Sequence, residues 1–479
     1  MIQPNQLTSL SAKKTERGTY FVQTWGCQMN EEDSEQMSLY LEGIGLRQAA
    51  SIREAHVVLL NTCSVRRKPE DKAFSLLGEL RQLKKARPDM VIGVCGCMAQ
   101  VRAKEIRQSN PHVNFIIGTG QVSSLPTLVE EALQGQKFQK RLDLPERKGA
   151  VVTEIPQREV RRVGKLKAYV PIQYGCDKFC TFCIVPTTRG RERSRPTEHI
   201  VEEVRRLAEI GTKEITLLGQ TVNSYGKNLA EGNVPFSKLL RILAGIPGLE
   251  RIRYTSPYPR DFRTDLIEVI RDVPEVMEHC HMPLQGGHDD LLKRMRRLYT
   301  TESFLAIVAE LRQAMPNIGL TTDIIVGFPG ETDEEFEGTM DMMRRVRFDG
   351  AYMFKYSPRP GTPAAEMEQV PRKVSEERLA RLMELQDQIG LERNQEQVGR
   401  TFEVMVDGVS NRSTGTVQGY TRCFRLMHVP GFPLAAHLSR LATVRGLLVD
   451  VLRDMPLAEF RRVRSFEPYD VAPEWVLHH

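Results

Sequence analysis

The sequence predicts an α/β fold: an N-terminal parallel-sheet α/β domain, a central partial (βα)6 barrel and a small C-terminal antiparallel β-barrel. Three observations carry this expectation. Short apolar runs alternate with amphipathic stretches from Thr19 to about Glu131, a second alternating series begins at Ala168, and after Gly399 the pattern shortens to strands separated by Gly and Pro.

Taken in order, the first series reads TYFVQTW, a helix from about Glu32, VVLLN, a helix near Pro69 to Lys85, MVIGV, a helix, NFIIG and a last helix. It defines an expected domain over residues 19–135. From Gln136 to Lys167 the chain turns charged and irregular, as an interdomain connection does. AYVPIQY, EITLL, RIRYT, MEHCHMP, TTDIIVG and DGAYMFKY then supply six strand signals, each followed by a helical stretch. Six such repeats predict an open barrel over residues 162–393, with its site at the strand C-termini. A long helix from about Val374 to Gln397 closes the series. TFEVMVDGV, TGTVQGY, CFRLMHV and ATVRGLLVDVL fit a small β-barrel at 395–464.

Bulk properties agree. A chain of 479 residues exceeds one compact core, so two to four domains are expected. Hydrophobic residues at 41% and charged residues at 27% are ordinary globular values that exclude extended disorder and fibrous repeats. No apolar run reaches the length of a membrane span, which excludes a helical membrane protein. Met1 to Gly18 is polar and reads as a loose tail without a secretory h-region, so a cytoplasmic protein is expected. A net charge of +6 permits a polyanionic partner without requiring one. Nine cysteines, an odd number, point to metal ligation or thiol chemistry in place of a disulfide scaffold.

The cysteines fall into two constellations. Cys176, Cys180 and Cys183 form a C-x3-C-x2-C run in YGCDKFCTFCIVP, just past a predicted strand. Three thiolates on one loop suit three corners of a cubane cluster, leaving the fourth iron open for chemistry. Structural zinc is the alternative, but it needs a fourth nearby ligand and none lies in the loop. His279, Cys280 and His281 alternate within a predicted strand and read as packed residues. Cys27, Cys63 and Cys97 are far apart in sequence, yet each lies just beyond the C-terminal end of a predicted parallel strand. Such ends share one crevice in an open α/β sheet. Spacing alone leaves them either as ligands gathered at one point or as three small buried hydrophobes.

The stretch CDKFCTFCIVPTTRGRERSRP, followed by LLGQTVNSYG, DIIVGFPGET and YSPRPGTPAA, resembles the radical S-adenosylmethionine (SAM) methylthiotransferase family, and most closely its tRNA branch. The resemblance spans about Thr19 to Arg464. It implies two [4Fe-4S] clusters and SAM as cofactors: one cluster on Cys176, Cys180 and Cys183, whose open iron chelates SAM, and an auxiliary cluster on Cys27, Cys63 and Cys97, matched by GCQMN, NTCSVR and GCMAQ. GCMAQ favours Cys97 over Cys95, while Cys280 and Cys423 match no ligand motif and read as structural thiols. In the family one SAM methylates a sulfur of the auxiliary cluster and another yields the radical that opens carbon 2 of the base, so the two centres are expected to face each other. The family uses the GFPGET turn near SAM, which implies cofactor contacts at Gly327, Pro329 and Gly330. Gln220, with Thr221 and Asn223, sits at a strand end where it would bond cofactor or base, or form an ordinary polar turn.

Arg189, Arg191, Arg193 and Arg195 suggest a phosphate-facing loop, against the alternative of a solvated charged loop. Lys293, Arg294, Arg296 and Arg297 read as a solvent-facing basic cluster. The C-terminal barrel resembles the RNA-gripping TRAM domain, and Arg422 and Arg425 are its candidate RNA contacts. Here the chain departs from the family pattern, with Tyr420 and Phe424 as candidate stacking rings. A second departure lies at Gly286 to His288.

The resemblance therefore implies methylthiolation at carbon 2 of N6-isopentenyladenosine, next to the anticodon, supported by SVR after NTC and by LGQTVNSY. Sister activities on N6-threonylcarbamoyladenosine or a ribosomal-protein aspartate are the nearest alternatives, and an RNA-binding protein with structural metal sites is the alternative of another class. Expected partners are a tRNA anticodon stem-loop and an electron donor such as flavodoxin or ferredoxin, with no membrane and a monomeric chain.

Overall fold

The computed structural model describes residues 18–64, 67–144, 147–148, 151–152, 165–229, 232–410, 416–430 and 447–449. The N-terminal tail, Val65 and Arg66 of the SVR motif, half of the expected connection and most of ATVRGLLVDVL lie outside the described residues. The chain divides into two compact units, one running to residue 145 and including 187–189, the other holding the remaining central and C-terminal residues.

In the first unit six parallel strands form one sheet: β1 (Thr19–Thr24), β2 (Arg47–Gln48), β3 (Val57–Thr62), β4 (Val91–Gly96), β5 (Phe115–Ile117) and β6 (Gln139–Arg141), in the order β2-β1-β3-β4-β5-β6. β3 and β4 are buried at every position, the reason their sequences are continuous and apolar and do not alternate. The two edge strands are two and three residues long and polar, which limits edge pairing with other chains. Helices α1 (Gln28–Gly43), α2 (Arg67–Ala86), α3 (Cys97–Ser109) and α4 (Leu125–Leu133) connect the strands, and apolar clusters line the sheet, one around Leu60, Leu77 and Ile92, another around Leu41, Leu59 and Phe115.

The second unit holds six further parallel strands: β7 (Lys167–Pro171), β8 (Glu214–Leu218), β9 (Arg251–Tyr254), β10 (His279–His281), β11 (Gly319–Val326) and β12 (Gly350–Lys355). They form two three-stranded sheets, β9-β8-β7 and β10-β11-β12, joined by a parallel bridge between Ile252 and Val276. One continuous apolar core runs beneath both, from Val170 and Ile215 to Ile324 and Phe348. Cys280 is fully buried in it. The helix Arg372–Gln395 follows, and then a four-stranded antiparallel sheet of β13 (Phe402–Val409), β14 (Thr416–Thr421), β15 (Leu426–Pro430) and β16 (Leu447–Val449), in the order β15-β14-β13-β16. Among the described residues no helix is long and apolar enough to cross a membrane.

The turn between β14 and β15 docks on the N-terminal ends of the parallel strands. Arg251 and Arg253 donate to the carbonyls of Tyr420 and Thr421 at 2.9 and 2.8 Å. Gly319 opens β11 because a side chain there would meet the Cys423 carbonyl. Phe424 stacks on His279 at 4.5 Å and on Tyr420 at 4.7 Å between ring centroids. The aromatic pair expected to meet bases is thus packed within the protein.

Candidate metal centres

Cys27, Cys63 and Cys97 leave three neighbouring strands of one sheet at the same end. β3 pairs β1 through Thr24–Asn61 and β4 through Thr62–Gly96, and the next residues on β3 and β4 are Cys63 and Cys97. Cys27 caps α1, and Cys97 is the first residue of α3. Both therefore lie where a helix presents unpaired N–H groups and a positive dipole end, a setting that favours anionic sulfur. Gly96 makes the second turn possible: its φ is +90°, and a side chain would sit 2.4 Å from the Thr62 carbonyl. Cys95 instead belongs to the apolar cluster with Phe115 and Ile117.

A polar network holds these turns. Asn30 is fully buried and donates to the Asn61 side chain and the Thr62 carbonyl, both at 3.1 Å, while Asn61 donates back to the Asn30 carbonyl at 2.7 Å. The Cys27 thiol points to Asn30 Oδ1 at 3.5 Å. Arg189, in the same unit, is buried and pairs with buried Asp33, Nη2 to Oδ2 at 3.0 Å. Burial raises the Cys97 thiol pKa, opposed chiefly by the Arg189 charge.

The second trio occupies the loop after β7. Cys176 N donates to the Gly190 carbonyl and Cys183 N to the Cys180 carbonyl, at 3.2 and 3.0 Å. Thr181 between them is pinned from both sides, its N–H on Met295 O and its carbonyl accepting from Ala364 N. Burial pushes the Cys176 thiol up to about 11 and the Cys183 thiol up to about 12, the neighbouring Cys180 adding to both. Buried thiols of this kind keep their protons until a metal displaces them. Arg297 donates to Cys180 Sγ at 3.3 Å.

Around this loop, buried Glu192 accepts from Thr221 and Ser224 at 3.2 and 3.0 Å. The Gln220 side-chain carbonyl beyond β8 is buried and finds no hydrogen-bond partner among the described residues. At the end of β11, Gly327 has φ +68° and leaves no room for a side chain against Ser375, and its N–H donates to Glu331 at 2.7 Å. Arg378 braces that carboxylate at 2.7 Å. Pro329 is buried and Gly330 exposed at the tip.

The arginine loop requires a correction. Arg189, Arg193 and Arg195 are buried, with Arg195 paired to Glu203 at 2.7 Å and donating to the Pro171 carbonyl. Their charge is neutralised or enclosed inside the protein, so they do not form a phosphate-facing surface. Arg191 is the exposed member, held by Asp177 at 2.7 Å. Arg422 pairs with Glu278 at 3.0 Å and Arg425 with Asp349. In the basic run after His288, Arg294 is tied to Glu335 and Arg297 turns toward Cys180, while Lys293 and Arg296 face solvent. Asn30 and Asp33 carry no signal in the sequence, and Arg297, expected to face solvent, turns instead to Cys180, because their partners are set by the fold.

The donors fit iron–sulfur chemistry: each trio is all thiolate, soft, and set in a largely buried polar frame. Among the described residues no three His, Cys, Asp or Glu side chains close round a single metal ion. A cubane binds each thiolate through a different iron and so spans a wider trio. The orphaned Gln220 oxygen is an acceptor available to a cofactor amine.

Residues 170–343 match the model of the radical SAM superfamily, and residues 19–118 that of uncharacterized protein family UPF0004. The chain is 45% identical over 420 residues to a tRNA-2-methylthio-N(6)-dimethylallyladenosine synthase of Desulforamulus reducens, covering 86% of this chain and 91% of that protein. It is 46% identical over 418 residues to the synthase of the same name from Moorella thermoacetica, covering 87% of this chain and 93% of that protein. Among solved structures it resembles a radical S-adenosylmethionine methyltransferase, TsrM from Kitasatospora setae, with a TM-score of 0.51 at 16% identity over 70% of this chain and 72% of that one. That likeness is one of fold.

Proposed function

The chain belongs to the tRNA-2-methylthio-N6-dimethylallyladenosine synthase family of radical SAM enzymes, and from that premise we propose that it methylthiolates carbon 2 of N6-isopentenyladenosine next to the anticodon of tRNA. The observation that carries this reading is the presence of two separate three-thiol constellations, one at the C-terminal ends of three neighbouring parallel strands and one on the loop after β7. With both clusters bound, the first supplies the electron that splits SAM into methionine and a carbon radical, and the second supplies the sulfur. Acid–base residues alone cannot cut the C–H bond of an adenine ring.

The protein's own residues supply position and dryness. Cys176, Cys180 and Cys183 hold the radical-generating cluster, and Cys27, Cys63 and Cys97 the auxiliary one. Gln220 offers a buried acceptor to SAM, and Gly330, at the exposed tip of the turn that Gly327 and Pro329 shape, lets backbone approach it without a side chain between. Asn30, Asn61 and Asp33 keep the auxiliary turns rigid. Arg191, the exposed arginine of its loop, is the member a phosphate reaches, in competition with Asp177. The target base leaves the anticodon-loop stack to be reached. In this reading residues 19–135, 162–393 and 395–464 are the auxiliary-cluster, radical and RNA-binding domains of a monomeric cytoplasmic enzyme, and a flavodoxin or ferredoxin supplies the electron.

Mass spectrometry of tRNA nucleosides from cells lacking this protein tests the proposal. Loss of 2-methylthio-N6-isopentenyladenosine with accumulation of N6-isopentenyladenosine is expected. Unchanged levels, with loss of methylthio-threonylcarbamoyladenosine or of a methylthio-aspartate in a ribosomal protein, would reassign the substrate.

A further inference from the structure

Arg297 is half-buried and anchored through all three of its side-chain nitrogens. Its Nε donates to the Tyr299 hydroxyl at 3.0 Å, Nη2 to the Pro283 carbonyl at 3.2 Å and Nη1 to Cys180 Sγ at 3.3 Å. The guanidinium lies over the Tyr258 ring at 4.7 Å and the Tyr299 ring at 5.1 Å. Those rings are themselves fixed, Tyr299 donating to the Pro283 and Leu284 carbonyls and Tyr258 accepting from Leu298 N. Three nitrogens thus have separate partners, and the two that bond Tyr299 and Pro283 orient the third toward sulfur. A guanidinium stays charged at any pH the protein meets.

We propose that Arg297 is a positioning residue that sets the reduction potential of the cluster on Cys176, Cys180 and Cys183, through a fixed charged hydrogen bond to the Cys180 sulfur. The inference rests on the radical SAM reading and adds a residue to it. A cluster gains negative charge on reduction, and a hydrogen bond from a cation to a ligand sulfur stabilises the reduced form more than the oxidised one. Arg297 therefore raises the potential toward the range a protein electron donor reaches. Its neighbours in sequence do not share the role: Arg296 is exposed and Arg294 is committed to Glu335.

The test is a redox titration followed by electron paramagnetic resonance on full-length protein carrying Cys27→Ala, Cys63→Ala and Cys97→Ala, so that one cluster reports. Arg297→Met is expected to lower the reduced-to-oxidised ratio at a fixed poise at least tenfold, a shift of about 59 mV for one electron, with Arg297→Lys recovering part of it. Tyr299→Phe, which frees Arg297 Nε but keeps the charge and the sulfur-facing nitrogen, is expected to lower the potential by less than Arg297→Met does. An Arg297→Met potential equal to the parent's would overturn the proposal. Should that variant not load iron, the parent with arginine labelled in its side-chain nitrogens decides: nitrogen-15 coupling to the reduced cluster supports the contact, and its absence refutes it. Failure of the parent itself to form a cluster would instead sink the radical SAM reading.

Discussion

Arg189 and Asp33 form a buried ion pair, 3.0 Å from Nη2 to Oδ2, within electrostatic reach of Cys97. Neither group meets solvent to any useful extent, at 4% and 5% exposure, so each charge has the other in place of water. Removing one partner of such a pair costs about 3–5 kcal/mol, because the other is left charged and unpaired. Asp33→Ala is expected to lose that much in urea unfolding of the cluster-free protein, and Arg189→Met with Asp33→Ala together to lose clearly less than the two single losses combined. Additive losses would show that the pair is not coupled.

The two cysteine trios are expected to separate by function. Cys176→Ala should abolish reductive SAM cleavage, measured as 5′-deoxyadenosine after dithionite reduction. Cys27→Ala should keep cleavage within about threefold of the parent while methylthio product falls by about a hundredfold, since an outer partner alone is worth 10–100-fold at a metal site. Full methylthio product from Cys27→Ala would show that the auxiliary thiols are dispensable.

Cluster-free protein should carry a pH signature of its buried thiols. Burial holds Cys176 up to about 11 and Cys183 up to about 12, above the ordinary thiol range. Between the ordinary and folded values the unfolded chain has released protons that the folded chain retains, so folding stability falls as pH rises. The contribution is fully present below the ordinary thiol range and lost as pH climbs through 11 to 12. Parent and Cys176→Ala differ in the Cys176 thiol alone, so the parent should lose about 3 kcal/mol relative to the variant between the ordinary thiol range and about pH 11. A difference that stays constant with pH would mean that the thiol titrates normally.

The main strands were legible because burial on both faces writes itself as VVLLNT and VIGVCG, and the cysteines because each follows such a run. Arg47–Gln48 and Gln139–Arg141 were not, since two or three polar residues on a sheet edge carry no periodicity. The arginine loop misled for a related reason. Sequence records charge but not partners, and Arg189 meets Asp33 across 156 residues. Arg297 and Cys180 lie 117 residues apart, so no local pattern joins them. Tyr420 and Phe424 were visible as aromatic rings in an unusual place, but whether an aromatic ring awaits a base or a neighbour depends on what the fold brings beneath it.

That last distinction can be measured. Phe424 stacks on Tyr420 and His279 and lies under the Arg253 guanidinium at 5.0 Å, in a turn whose carbonyls Arg251 and Arg253 grip. Two ring stacks and one cation–π contact together are worth about 2–3 kcal/mol. Phe424→Ala is expected to lower folding stability by that amount and to open the C-terminal sheet to limited proteolysis. Affinity of the intact fraction for a tRNA anticodon stem-loop, measured at fixed salt, should change by less than about twofold. The opposite outcome, unchanged stability with tenfold weaker RNA binding, would return the ring to the nucleic-acid surface, since a base stacked on an aromatic side chain contributes about 1–3 kcal/mol.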